Sequence, residues 1–135
     1  MTASEVALRK GLDNTPPQDI LIRLADTAER MDQVRTLLGA PIYVNSAYRS
    51  PLVNKAVGGV PTSAHQLGYA VDFVCPSFGT PLAIVQEVQT SGIHFDQVIQ
   101  EGTWVHISFD PRMRGQILTA NFSGGKATYT QGVAR

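Results

Sequence analysis

The sequence is poor in the features that mark several classes of protein. Cys75 is the only cysteine among the 135 residues, so the chain has no internal disulfide. No apolar run approaches the roughly 18 to 20 residues that a helix needs to span a bilayer, which argues against membrane insertion. Eleven Lys and Arg balance eleven Asp and Glu, and like charges do not cluster. Neither a nucleic acid nor a membrane surface is therefore an expected partner.

The beginning of the chain also lacks a secretory signal. Residues 1–10 contain Glu5 and have no apolar segment. We therefore expect the protein to be made in the cytoplasm and to be carried out, if it acts outside, by another route. The length and the 43% hydrophobic content suit one core. We predict a single domain over residues 1–135, expected to be a monomer, with residues 118–135 partly a flexible C-terminal tail.

Capping residues and apolar periodicity predict several helices. In the longest, apolar side chains recur in steps of three and four from Ile20 to Leu38, and Gly39 ends it. Ser50 with Pro51 and Thr80 with Pro81 are each a cap followed by a favoured first helical residue. The predicted helices cover 4–10, 51–57 and 81–91, together with the longest one, which Pro16 and Pro17 open and Gly39 ends.

Stretches rich in β-branched and aromatic residues predict strands between and after these helices. The predicted strands cover 42–48, 69–75, 96–101, 104–109 and 116–122. Residues 60–68 are expected to be a loop, and Gly102 with Thr103 to form a tight hairpin turn. The fold class predicted is α+β, with a central antiparallel sheet and the N-terminal helices packed on one side of it.

Two histidines and an aspartate stand out in this pattern. His65 lies in the predicted loop, and Asp72 follows seven residues later inside an apolar strand, where an ionised carboxylate needs a partner. Strand alternation sends His106 to the face opposite its apolar neighbours. Imidazole and carboxylate suit zinc, and three protein ligands would leave a fourth position for water. Spacing alone leaves open the alternative of ordinary core or surface side chains.

The sequence resembles the zinc D-Ala-D-Ala carboxypeptidase family of murein peptidases over about residues 4–109. The matching stretches are Val-Asn-Ser-Ala-Tyr-Arg-Ser at 44–50, Ser-Ala-His at 63–65 with Gly68, Ala70 and Asp72, and Glu101 followed by Trp-Val-His-Ile at 104–107. These motifs occur in the family's order. The resemblance implies an α+β zinc fold, with one zinc ion per chain, that cleaves the stem peptides of bacterial peptidoglycan.

The resemblance also implies roles for individual residues. His65, Asp72 and His106 correspond to the zinc ligands. Arg49 corresponds to the arginine that clamps substrate, and its alternative is an ordinary surface arginine. Ser63 matches a position that can bond substrate, and Trp104 is expected to wall the zinc site. An unremarkable loop serine and a half-buried strand tryptophan are the alternatives for these two.

The family varies in the position of its general base. Some members carry an acidic residue three positions before the last zinc histidine, but this chain has Thr103 there, and a hydroxyl has no useful basicity near pH 7. Other members use the residue five positions before it, which is Glu101. We predict Glu101 as the base that takes the proton of the attacking water. A solvated glutamate is the alternative reading, and Asp96 is the second candidate for the base.

His94 has no counterpart in the motifs and is expected to be structural or exposed, while Cys75 is expected to be a core thiol. The resulting prediction is a zinc metallopeptidase of the D-Ala-D-Ala carboxypeptidase or endopeptidase type. A short single domain without a signal or a wall-binding repeat favours a phage lysis or virion-associated enzyme. The alternatives are a non-catalytic zinc module that binds murein and a structural phage component.

Overall fold

A computed structural model of the protein describes residues 10–123 and 126–133. The helices are α1 Gln18–Leu38, α2 Pro51–Ala56, a 3-10 helix Ala64–Leu67 and α3 Pro81–Thr90. The strands are β1 Tyr43–Ser46, β2 Ala70–Val74, β3 Gln97–Gln100, β4 Val105–Ser108, β5 Gln116–Ser123 and β6 Lys126–Gln131. The helix predicted over 4–10 lies, apart from its last residue, outside the described residues.

Three of the helix ends that the sequence predicts are confirmed. The hydroxyls of Ser50 and Thr80 accept hydrogen bonds from backbone N–H groups in the first turns of α2 and α3. Gly39 adopts the left-handed conformation, with φ of 65°, and its N–H donates to the carbonyl of Arg35 at 2.9 Å. The 3-10 helix interrupts the segment that was expected to be a loop.

The described strands form one sheet in the order β1-β2-β4-β3-β5-β6. The sheet is mixed, because β5 runs parallel to β3 while the other pairs are antiparallel. The sheet predicted as antiparallel therefore contains one parallel pair. The cause lies in the β4–β5 connection, where Gly115 and Gln116 donate to the carbonyls of Phe95 and Asp96 and so start β5 beside the beginning of β3.

The last strand, β6, lies in the segment that was expected to be partly a flexible tail. It pairs antiparallel with β5, for example Ala120 with Tyr129. This strand was not predicted from the sequence. The sequence signal for β6 is the run Thr128, Tyr129 and Thr130, because β-branched and aromatic residues favour strands.

The hydrophobic core lies between one face of the sheet and the helices α1 and α3. Its buried members include Val34, Leu38, Ile84, Val85 and Val88 from the helices, and Val71, Phe73, Cys75, Val98, Val105 and Ile107 from the sheet and its ends. This confirms an α+β domain with helices packed on the sheet, and Cys75 as a core thiol. In the described part of the chain, no helix combines the length and apolar character that a membrane span requires.

Candidate metal centre

The opposite face of the sheet carries a cluster of three potential ligands. Asp72 in the middle of β2 lies directly across from His106 in β4, and the 3-10 helix brings His65 above them. His65 Nε2 lies 3.1 Å and His106 Nδ1 lies 2.9 Å from Oδ1 of Asp72. One ligand atom from each residue falls within 4.8 Å of the others, so the three could hold a single metal ion.

The orientation of His65 suits a metal ligand. Its Nδ1 lies 2.6 Å from the carbonyl oxygen of Ala47, and a carbonyl can only accept, so Nδ1 carries the proton. Nε2 then directs a lone pair at the carboxylate of Asp72, and two acceptors at 3.1 Å need a cation or a proton between them. Burial lowers the pKa of His65, which disfavours the proton. The donor set therefore fits a divalent cation such as zinc.

The carboxylate of Asp72 is prepared as an anionic ligand. Burial alone would raise its pKa, but the adjacent imidazoles of His106 and His65 outweigh burial and hold the pKa well below its usual range. Asp72 is therefore ionised at neutral pH.

Arg49 binds this cluster from the side of β1. Its Nη2 donates to Oδ2 of Asp72 at 3.1 Å, its Nε donates to Ser46 at 3.0 Å, and its Nη1 lies 3.5 Å from Oδ1 of Asn54. Arg49 thus positions the Asp72 carboxylate. A guanidinium carries five N–H groups, so donors remain for a substrate.

Glu101 lies on the other side of the cluster, at the end of β3. Its backbone N–H donates to the carbonyl of Trp104 at 3.0 Å and closes the β3–β4 hairpin. Burial raises the pKa of Glu101, His106 lowers it, Asp72 raises it and Arg49 lowers it, with burial the largest of the four effects. The carboxylate therefore lies within electrostatic range of the candidate metal centre. A half-buried carboxylate of raised pKa suits a group that accepts and returns a proton.

The other sequence-predicted residues take different places. Ser63 caps the 3-10 helix, where its hydroxyl accepts from the N–H of His65 at 3.2 Å. Trp104 is half-buried in the hairpin beside exposed Thr103, and His94 is exposed. Asp96 is not in the cluster: it is buried against the guanidinium of Arg114, with two bonds of 2.8 Å.

Several residues that support the site were not predicted from the sequence. The carbonyl of Ala47 orients His65, and the hydroxyl of Thr27 in α1 donates to the carbonyl of Gly68 at 2.7 Å, just after the 3-10 helix. Asn54 is buried and its side-chain N–H donates to Val60 at 2.8 Å, which holds the loop before His65. Nothing in the sequence marks Asn54 or a backbone carbonyl group as a support for the site, because burial and direction arise only in the fold.

The fold and the cluster together define a small α+β protein with a candidate site for one metal ion. The family model described as Peptidase M15 matches residues 1–108, and the chain belongs to this family. Peptidases of this family are zinc-dependent. The membership of this chain therefore indicates a zinc metallopeptidase that acts on peptidoglycan-type substrates. The resemblance seen in the sequence is confirmed. No curated protein matches the chain.

Proposed function

We propose that the protein is a zinc-dependent murein peptidase that hydrolyses a peptide bond in the stem peptides of bacterial peptidoglycan. The D-Ala-D-Ala carboxypeptidase and endopeptidase types both belong to this proposal. The observation that carries it is the half-buried carboxylate of Glu101 beside the His65, Asp72 and His106 cluster in a chain of the Peptidase M15 family.

The three cluster residues would hold the ion through His65 Nε2, a carboxylate oxygen of Asp72 and a ring nitrogen of His106. A zinc ion bound there would supply Lewis acidity toward a water molecule and toward the carbonyl oxygen of the scissile bond. The contact of His65 with Ala47 keeps the lone pair of Nε2 directed into the site. Asp72 supplies the negative charge that offsets part of the ion's charge.

Glu101 would accept the proton of the attacking water and deliver it to the departing amine. Both transfers need a carboxylate that is ionised at the start and protonated in between, and a raised pKa brings these two states closer in free energy. This role separates a peptidase from a module that only binds murein, since binding alone needs no proton acceptor.

Arg49 would act on the opposite side from Glu101. Its bond to Asp72 fixes the direction of the guanidinium, and the remaining N–H groups can donate to a carbonyl oxygen or a carboxylate of the substrate. We propose Ser63 and Trp104 as further substrate contacts on the resemblance described above. A lysis or virion-associated enzyme of a bacteriophage, made in the cytoplasm and acting on the cell wall, is also proposed, by analogy within the family.

The test is hydrolysis of purified peptidoglycan and of a synthetic stem peptide, with products identified by mass spectrometry. We expect new amino termini, loss of activity with a chelator and recovery of activity with added zinc. The product masses identify the bond that is cleaved. Glu101→Gln is the inactive control, and His94→Ala, at an exposed histidine outside the cluster, is the active one. Binding of murein without any product from the zinc-loaded protein would replace this proposal with a non-catalytic module.

A further inference from the structure

The metal-bearing face of the sheet continues past the site onto the β5–β6 hairpin. Residues directly opposite each other in a sheet project from the same face. The register joins Asp72 to His106, His106 to Ile99, Ile99 to Leu118 and Leu118 to Gln131. All five side chains therefore share the face that carries the candidate metal centre.

Alternation along the strands adds two aromatic residues to this face. Phe122 lies four residues after Leu118, Tyr129 lies two residues before Gln131, and both are therefore on the metal side. Their exposed fractions are 59% and 52%, which is high for large aromatic side chains. Glu101, two residues after Ile99, is on the same face and lies between the cluster and this hairpin.

Two observations place the aromatic pair next to Glu101. A methyl group in place of the Gly102 hydrogen would lie 3.6 Å from Cε2 of Phe122, so the ring packs on the turn that follows Glu101. The phenol of Tyr129 is within electrostatic range of Glu101 and Asp72: burial raises its pKa most, and these two carboxylates raise it further. The hydroxyl of Tyr129 therefore stays protonated and can donate a hydrogen bond.

We propose that Phe122 and Tyr129 form a substrate subsite that binds the peptide beside the scissile bond. The two rings provide an apolar surface for aliphatic side chains, and the Tyr129 hydroxyl provides a donor for a peptide carbonyl. This inference rests on the proposed function for the identity of the substrate. The occupant is the substrate peptide because the pair is continuous with Glu101 and the metal cluster along one face. The subsite lies after residue 108, beyond the part of the chain that the family model matches.

The experiment measures both binding and turnover of a synthetic stem peptide ending in D-Ala-D-Ala, using the full chain. Binding is measured by calorimetry in the Glu101→Gln background, and kcat and KM are measured with Glu101 intact. The variants are Phe122→Ala, Tyr129→Ala and Tyr129→Phe. Thr128→Ala is the matched control, because Thr128 is adjacent to Tyr129 in β6 but projects from the opposite face.

We expect the dissociation constant and KM to rise about 2- to 10-fold in each aromatic variant, with kcat little changed. The melting temperature of each aromatic variant should equal that of Thr128→Ala. Turnover by the wild type with aromatic variants that match Thr128→Ala would overturn the subsite and leave the proposed function standing. Binding that depends on the aromatic pair without any turnover would support the subsite and overturn the proposed function. If the Glu101→Gln protein does not bind the peptide and the wild type does not hydrolyse it, both the subsite and the proposed function are overturned.

Discussion

Nη2 of Arg49 lies 3.1 Å from Oδ2 of Asp72, while Oδ1 of the same carboxylate faces both histidines of the cluster. One carboxylate thus joins the candidate metal centre to the half-buried guanidinium of Arg49. Bonds from Arg49 to Ser46 and Asn54 hold the guanidinium in this direction. Arg49, to which the sequence resemblance assigns substrate binding, therefore also orients the metal ligand Asp72.

Replacing Arg49 with Lys should therefore affect the metal as well as turnover. Lysine keeps the charge but cannot contact Asp72, Ser46 and Asn54 through one planar group. We expect the zinc affinity or the catalytic activity to fall about 10- to 100-fold, as is typical when a residue that holds a metal ligand in place is lost. Zinc competition titration and kcat/KM measure these two effects. Arg35→Lys, at an exposed arginine in the last turn of α1, is the control. Unchanged affinity and kinetics would show that Arg49 has neither role.

The ligand assignment predicts that zinc stabilises the fold only when all three cluster residues are present. At a free zinc concentration 100 times the dissociation constant, binding should stabilise the folded protein by about 2.7 kcal/mol. We expect the melting temperature to rise with zinc in the wild type and in His94→Ala. The rise should be lost in His65→Ala, Asp72→Ala and His106→Ala. Elemental analysis should give close to one zinc per wild-type chain. Full zinc content in any of the three variants would remove that residue from the site.

Asp96 is expected to stabilise the fold without serving the chemistry. It is buried, and its carboxylate accepts from Arg114 Nε and Nη2, at 2.8 Å each, and from the Arg114 backbone N–H at 3.0 Å. Asp96→Asn should lower the free energy of unfolding by about 1 to 3 kcal/mol at neutral pH, with unchanged turnover per folded molecule.

The pH dependence of this difference provides a second measurement. The hydrogen bonds from Arg114 hold the pKa of Asp96 below its ordinary value. The stabilisation is therefore fully present above the ordinary pKa of about 3.9 and is lost as the pH falls through the lower folded value. Denaturant unfolding of the wild type and Asp96→Asn should converge at acid pH. A large loss of kcat in Asp96→Asn would instead make Asp96 the base.

Local sequence patterns predict the two strand ligands well and the surroundings of the site poorly. Asp72 and His106 are both found from strand alternation, because a single polar residue among apolar ones is visible along the chain. That they lie directly opposite each other depends on strand order, which no local pattern records. The parallel pairing of β5 has the same origin, since it arises from contacts between the 109–115 connection and the start of β3.

The orientation of His65 could not be predicted for a different reason. It depends on the carbonyl of Ala47, and every residue has a carbonyl group, so the contact leaves no mark on the sequence. The predicted strand 116–122 includes Phe122, but the strand that carries Tyr129 was not predicted, because the segment after 122 is rich in Gly, Ser and Thr. The pairing of that strand with β5 depends on the fold and not on a local pattern.

The choice of Glu101 over Asp96 as the general base is tested by Glu101→Gln. The amide keeps the shape of the side chain but cannot accept the proton, so we expect turnover to fall about 100- to 10,000-fold. Zinc affinity should be nearly unchanged, because Glu101 is not among the three clustered ligands. The wild-type kcat/KM should fall on the acid side as the base is protonated, and this limb should change or vanish in Glu101→Gln.

The stability of the same variant gives an independent check with the opposite sign from Asp96. Because burial raises the pKa of Glu101, the folded protein binds more protons than the unfolded chain between the two pKa values. Stability is therefore lost as the pH rises through that window, and the ionised carboxylate destabilises the metal-free fold at neutral pH. Glu101→Gln should then be at least as stable as the wild type at pH 7 when both are unfolded in the presence of a chelator, and the two should differ less at acid pH. A variant that is less stable than the wild type and retains near-normal turnover would show that Glu101 is a structural residue, and the base would have to be sought elsewhere on the metal-bearing face.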